Sequence, residues 1–140
     1  MTNWKWDPSL AIGIDTIDAQ HKKIIQYINE LNIAFVYNKM YMIEEVIDKL
    51  IHYTQVHFSF EEQLMEKAGF SSLELHKKSH DSFVERIIFF KERYENGENI
   101  AKQLRNDLQL WFVNHIQHDD VDYKEPVQKM LREVNQSSKT

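Results

Sequence analysis

Apolar residues recur along this chain at three- and four-residue spacing, the mark of helices that bury one face. From about Asp18 to Tyr37 the inward stripe is His21, Ile24, Ile25, Ile28, Leu31 and Phe35, with Asp18 placed as an N-cap. From about Met40 to Lys67 it is Ile43, Val46, Ile47, Leu50, Tyr53, Thr54, His57, Glu61 and Leu64. A third segment follows Gly69. There Ser71 and Glu74 have the spacing of a capping box, and the stripe runs Leu73, His76, His80, Phe83, Ile87, Phe90 and Tyr94. A fourth follows Gly97, with Asn99 as candidate cap and Leu104, Leu108, Trp111 and His115 on one face. Tyr123 to Val134 is a further amphipathic stretch, a candidate short fifth helix. No segment sustains a period of two, so no sheet is expected.

Helices of about 18–27 residues with short links predict an all-α fold, an antiparallel up-down-up-down four-helix bundle. The expected layout is one domain over 1–140, with an N-terminal arm at 1–17, the bundle at 18–118 and a C-terminal segment at 119–140. Trp4 and Trp6 are expected to lay the arm across the bundle. Glu44-Glu45, Lys77-Lys78 and Glu92-Arg93 fall on solvated faces.

Composition narrows the function classes. A chain of 140 residues, 42% hydrophobic and 28% charged, can bury a real core. A net charge of −5 with no dense Lys/Arg cluster argues against a nucleic-acid partner. The absence of cysteine excludes disulfides, thiolate metal sites and cysteine nucleophiles. The N-terminus has no apolar core of a signal peptide, and the longest apolar run, Ile33 to Tyr37, is far too short for a membrane span. A soluble, cytoplasmic protein without a membrane partner is expected. No local signature suggests a hydrolase.

The histidines are what stands out. His21, His57, His76, His80 and His115 occupy stripe positions that a leucine would fill. Taken singly, such a histidine is more often a hydrogen-bonded core residue than a ligand. Five pointing inward from four segments, with His57–Glu61 and His76–His80 at i,i+4, need a common partner, and a metal supplies one. Imidazole and carboxylate ligands suit iron, zinc, copper or manganese. Helical spacing picks Glu61 over Glu62, since i+4 keeps the face of His57. Beside His115 the same rule favours Asp119 over Asp120. His52 falls off its stripe and reads as surface, while His118 could face inward.

The arrangement His21, His57-x3-Glu61, His76-x3-His80 and His115-x4-Asp120 resembles the hemerythrin family. Ile12-Gly13-Ile14, Ile17-Asp18-x-Gln20-His21-Lys22, His57-Phe58-x2-Glu61-Glu62 and Trp111-x3-His115-Ile116 extend the likeness over roughly Trp4 to Tyr123. It is most similar to the single-domain bacterial hemerythrins. The resemblance implies a non-haem di-iron centre, with His76, His80 and His115 on one iron and His21 and His57 on the other. Glu61 and Asp120 would bridge both irons. That choice of Asp120 requires the helix to loosen after His115, and it leaves His118 unused. The two irons would be ferrous in the deoxy form, ferric in the oxy and met forms, and bridged by oxide or hydroxide. These ligands fill all but one position of two octahedra, and the vacancy falls on the iron with two histidines. Ile24, Phe58, Trp111, Phe112 and Ile116 match positions that line the family's apolar oxygen pocket. Each would serve equally well as bundle core.

The implied function is reversible dioxygen binding for oxygen carriage, storage or delivery, with no net chemistry and no catalytic residue. The alternatives are an oxygen- or iron-sensing module and a di-iron oxidase or peroxidase. Ferritin-like di-iron sites are rich in carboxylates, whereas imidazoles dominate here, which disfavours the oxidase. The lack of an attached signalling domain disfavours the sensor. Dioxygen is the expected partner, in a monomer or weak oligomer; an oxygen-consuming protein partner is left unspecified.

Overall fold

The computed structural model describes residues 4–37, 39–98 and 101–138. The long elements are α1 (Asp15–Tyr37), α2 (Met40–Lys67), α3 (Leu73–Glu95), α4 (Ala101–Asn114) and α5 (Val121–Ser138). A 3₁₀ turn at Pro8–Leu10 precedes them, and a π-helical turn, His115–Asp120, joins α4 to α5. Among the described residues there is no strand. Helix α1 packs on α2 and α4, and α3 packs on the same two helices, so the four long helices close around one core. Short links make successive helices antiparallel. The fold is the expected four-helix bundle.

Each stripe read from the sequence faces that core. Ile24, Ile28 and Leu31 of α1, Ile47 and Leu50 of α2, Phe83 and Ile87 of α3, and Leu104 and Leu108 of α4 are wholly buried. Each contributes about 1.5–3 kcal/mol relative to exposure. His52 and His118 are both exposed.

Glycine sets two of the links. Gly69 (φ +68°) and Gly97 (φ +87°) adopt the left-handed conformation that ends a helix in a Schellman turn. The bonds that define the turn are present: Phe70 N–H to Met65 C=O and Gly69 N–H to Glu66 C=O, then Glu98 N–H to Arg93 C=O and Gly97 N–H to Tyr94 C=O. The first of these turns displaces the expected capping box. Chain reversal continues through Ser72, α3 begins at Leu73, and Ser72 caps it without a side-chain hydrogen bond. Ser71 therefore lies too early to pair with Glu74. The candidate cap Asn99 lies outside the described residues.

The start of α1 also differs from expectation. The helix begins at Asp15, so Asp18 is inside it. Its carboxylate instead accepts from the backbone N–H groups of Ile12 (2.8 Å) and Gly13 (3.2 Å), pinning the incoming arm. Further out, Trp4 exchanges two hydrogen bonds with Asn29 and sets its ring edge-on to Phe112. The arm thus lies across α1 and α4.

The C-terminal helix, Val121–Ser138, is longer than the expected Tyr123 to Val134 and is not separate. The π turn carries the helix on from α4 without a break, and α5 packs on α2 through buried Tyr123 and Val127. Pro126 sits inside α5. It lies within the continuous rod, and its missing N–H leaves the carbonyl of exposed Asp122 without its helical partner.

Candidate metal centre

In an antiparallel bundle, the early part of α1, the late part of α2, the early part of α3 and the end of α4 meet at one end. His21, His57 with Glu61, His76 with His80, and His115 sit at those places in turn. All five histidines, Glu61 and Asp120 are at most 5% exposed. They form two groups whose facing atoms lie within 4.8 Å of one another: His76, His80, His115 and Asp120, then His21, His57 and Glu61.

Asp120 joins the two groups. Its Oδ1 lies 3.0 Å from His76 Nε2 and 3.1 Å from His115 Nε2, while Oδ2 lies 3.2 Å from His21 Nε2. Glu61 reaches both through one oxygen: Oε1 is 2.5 Å from His57 Nε2 and 3.9 Å from His80 Nε2. Its other oxygen accepts a 2.5 Å hydrogen bond from the Tyr123 hydroxyl.

The π turn is what brings Asp120 inward. In a regular α-helix five residues rotate a side chain by about 140° away from the first. The wider i→i+5 turn from His115 to Asp120 returns the carboxylate to the inner face. Helical spacing alone favours Asp119, which the structure leaves half-buried at the rim.

These ligand atoms are close together, yet four of them find no hydrogen bond. His21 Nε2, His57 Nε2, Glu61 Oε1 and Asp120 Oδ2 are buried and have no aligned hydrogen-bond partner, although the His57–Glu61 and His21–Asp120 pairs are within 3.2 Å. Distances of hydrogen-bond length without hydrogen-bond alignment mean that the lone pairs converge on shared points. His80 Nε2 and His115 Nε2, 3.1 Å apart, are by contrast aligned as a hydrogen-bonding pair. Buried groups left unaligned would be costly without a further partner, and a cation is the partner that an all-acceptor set fits.

The electrostatics agree. Burial opposes charge on Asp120, yet His115 beside it and the close ring nitrogens of His115, His21 and His76 hold it well below the usual carboxylate range. Burial and Asp120 also oppose charge on Glu61, and His57 outweighs them. Burial pushes His80 down to about 3, so its ring is neutral with a free lone pair. Burial also acts to lower His115, but Asp120 and Asp119 raise it to about 10. Two buried anions thus demand positive charge at this point. A proton on His115 is one source and a metal ion a stronger one.

Aromatic rings wall the centre. Phe58 stacks on His80 (3.8 Å between centroids, 6° between planes) and Trp111 on His115 (4.5 Å, 14°). Phe112 stands edge-on to His21 at 5.3 Å, and Ile24 and Ile116 are wholly buried. Phe58 follows His57 in sequence, yet its ring lies flat on His80.

Four polar residues around the centre escape a reading of the stripes. His57 Nδ1 pairs with Gln20 Oε1 (2.6 Å), and His80 Nδ1 with Glu62 Oε2 (3.2 Å). His115 Nδ1 pairs with Asp119 Oδ2 (2.9 Å) and the Ser79 hydroxyl (3.2 Å). The acidic doublets Glu61-Glu62 and Asp119-Asp120 were the available signal, since in each one member faces inward and its neighbour holds the outer nitrogen of a histidine. Tyr123, three residues past Asp120, is the other residue the stripes did not assign to the centre.

Residues 12–125 match the family described as Hemerythrin HHE cation binding domain. A bacteriohemerythrin of Stenotrophomonas maltophilia is 41% identical over 128 residues, covering 91% of this chain and 84% of that protein. One from Pseudomonas aeruginosa is 39% identical over 134 residues, covering 96% and 88%. A crystal structure of wild-type hemerythrin superposes with a TM-score of 0.83 at 26% identity, covering 90% of this chain and 98% of that one. No helix among the described residues is long and apolar enough to cross a membrane. With its match to the family extending through all seven buried donors, the chain belongs to the hemerythrin family.

Proposed function

We propose that this chain binds dioxygen reversibly at a di-iron centre, serving oxygen carriage, storage or delivery rather than catalysis. The observation that carries the reading is the division of Asp120, with one oxygen toward His76 and His115 and the other toward His21. A carboxylate so placed suits two cations side by side. His76, His80 and His115 would hold one iron, His21 and His57 the other, with Glu61 and Asp120 between them. A ferrous pair would supply the electrons that dioxygen takes up on binding and returns on release.

The protein's own part is to keep that exchange reversible. Five neutral imidazoles and only two carboxylates offset little of the metal charge, which disfavours oxidation beyond the ferric level. The group with two histidines offers fewer ligands, so the open position belongs there. Ile24, Phe58, Trp111, Phe112 and Ile116 would make the surroundings apolar and exclude the water and protons that drive irreversible oxidation.

The test is a count of irons in protein reduced without air, followed by repeated cycles of air and inert gas. About two irons per chain are expected, with a visible charge-transfer band that rises in air and falls under inert gas. One iron or none, or irreversible bleaching on first exposure, overturns the proposal. Steady dioxygen consumption with added reductant would instead point to an oxidase.

A further inference from the structure

The outer nitrogens of the histidines are not treated alike in the two groups. In the group with three histidines, His80 Nδ1 faces the Glu62 carboxylate at 3.2 Å. In the same group His115 Nδ1 faces the Asp119 carboxylate at 2.9 Å. Ser79 joins this contact, 3.2 Å from the ring and 3.4 Å from Asp119. In the group with two histidines, His57 Nδ1 faces the neutral amide oxygen of Gln20 at 2.6 Å. His21 Nδ1 is buried and has no partner among the described residues. Both anionic partners therefore serve one group.

From this asymmetry we infer that Glu62 and Asp119 are positioning residues that make the three-histidine group the tighter metal site, while Gln20 alone steadies the weaker one. The inference rests on the two-metal reading above. The mechanism is local. An acceptor at Nδ1 fixes the proton there, leaves Nε2 as the free lone pair, and aims it inward. A carboxylate in that place also makes the imidazole more basic than an amide does. All the inward contacts of His80 and His115 are indeed through Nε2.

Glu62→Ala, Asp119→Ala and Gln20→Ala separate the two groups. Each variant and the parent are loaded with ⁵⁷Fe(II) without air and titrated with a competing chelator, while Mössbauer spectra follow the two iron signals. The two carboxylate variants should each weaken the same iron about 10- to 100-fold, and Gln20→Ala should weaken the other. Glu62→Gln and Asp119→Asn restore an acceptor without its charge and should recover part of the loss. Thermal midpoints of the chelator-treated proteins check that folding is intact. Equal weakening of both irons, changes under about threefold, or loss of the same iron in all three alanine variants overturns the proposal. A parent protein that holds one iron or none overturns the two-metal reading, and this inference with it.

Discussion

The hydroxyl of Tyr123 offers the cleanest energetic test of the centre. Tyr123 is fully buried and donates to Glu61 Oε2 at 2.5 Å, while Glu61 is itself fully buried. Tyr123→Phe keeps the ring and its packing on α2 and removes only the donor. Glu61 Oε1 already lacks an aligned partner, so the variant leaves the carboxylate with no hydrogen bond of good geometry. A hydrogen bond to a charged group contributes about 1.5–3 kcal/mol. For proteins slightly larger than this one, 1 kcal/mol moves the melting midpoint by about 2–4 °C, so a fall of about 3–12 °C is expected. The assay is thermal unfolding followed by far-UV circular dichroism, on chelator-treated protein so that metal binding does not mask the change. A second arm combines the substitution with Glu61→Gln. With the acceptor neutral, the cost of removing the hydroxyl should shrink to about 1 kcal/mol. A midpoint within 1 °C of the parent would refute the reasoning. So would an undiminished cost in the Glu61→Gln background, because the hydroxyl would then act through something other than the carboxylate.

Other expectations follow from the same geometry. Deleting exposed Gln117 should be tolerated within about 1 kcal/mol, because a regular helix of one fewer residue keeps α5 in phase with α2. Inserting one alanine there should instead turn Tyr123 and Val127 off α2 and cost about 3–6 kcal/mol; equal effects of the two changes in a urea titration would refute this. Phe112→Ala should cost about 3–5 kcal/mol by cavity formation between His21 and Trp4, and it should speed irreversible oxidation of the iron-loaded protein, read from the decay of its visible band. His52→Ala and His118→Ala, both at exposed positions, should change stability by no more than about 0.5 kcal/mol and leave the iron count unchanged.

Much of the fold is legible because burial dominates it. A leucine-like position occupied by histidine remains identifiable when its neighbours at three or seven residues are Ile24, Leu50 or Phe83. The joined α4–α5 rod was not legible, and the reason can be stated. On a regular helix Leu104, Leu108, Phe112 and His115 define one buried direction, while Asp120, Tyr123 and Val127 define another, turned by about 100°. Such a jump looks like the end of one helix and the start of the next. One extra residue in the π turn absorbs it. The pairings at Nδ1 were hidden for a different reason. Gln20, Glu62 and Asp119 lie at the edges of their stripes, and which nitrogen they meet depends on how neighbouring helices are rotated against each other. The caps at Asp18 and Ser71 were misplaced because partners outside the helix, the arm in one case and the Gly69 turn in the other, compete for the same groups.

The wide turn after His115 has a consequence for the ring itself. At 100° per residue, Asp119 and Asp120 would both lie to one side of His115, at about 40° and 140°. With roughly 4.4 residues per turn they fall at about 30° on one side and 50° on the other. Two adjacent acids thereby bracket a single imidazole, Asp119 at one nitrogen and Asp120 at the other. Removing the extra residue would leave the buried faces of the rod in place and also keep the bracket, with Asp119 at about 60° on one side and Asp120 at about 40° on the other; only straightening the turn with every residue kept carries both acids to one side. An insertion of one residue in a helix is usually a defect to be accommodated. Here it lets consecutive positions in the chain grip opposite ends of the same side chain.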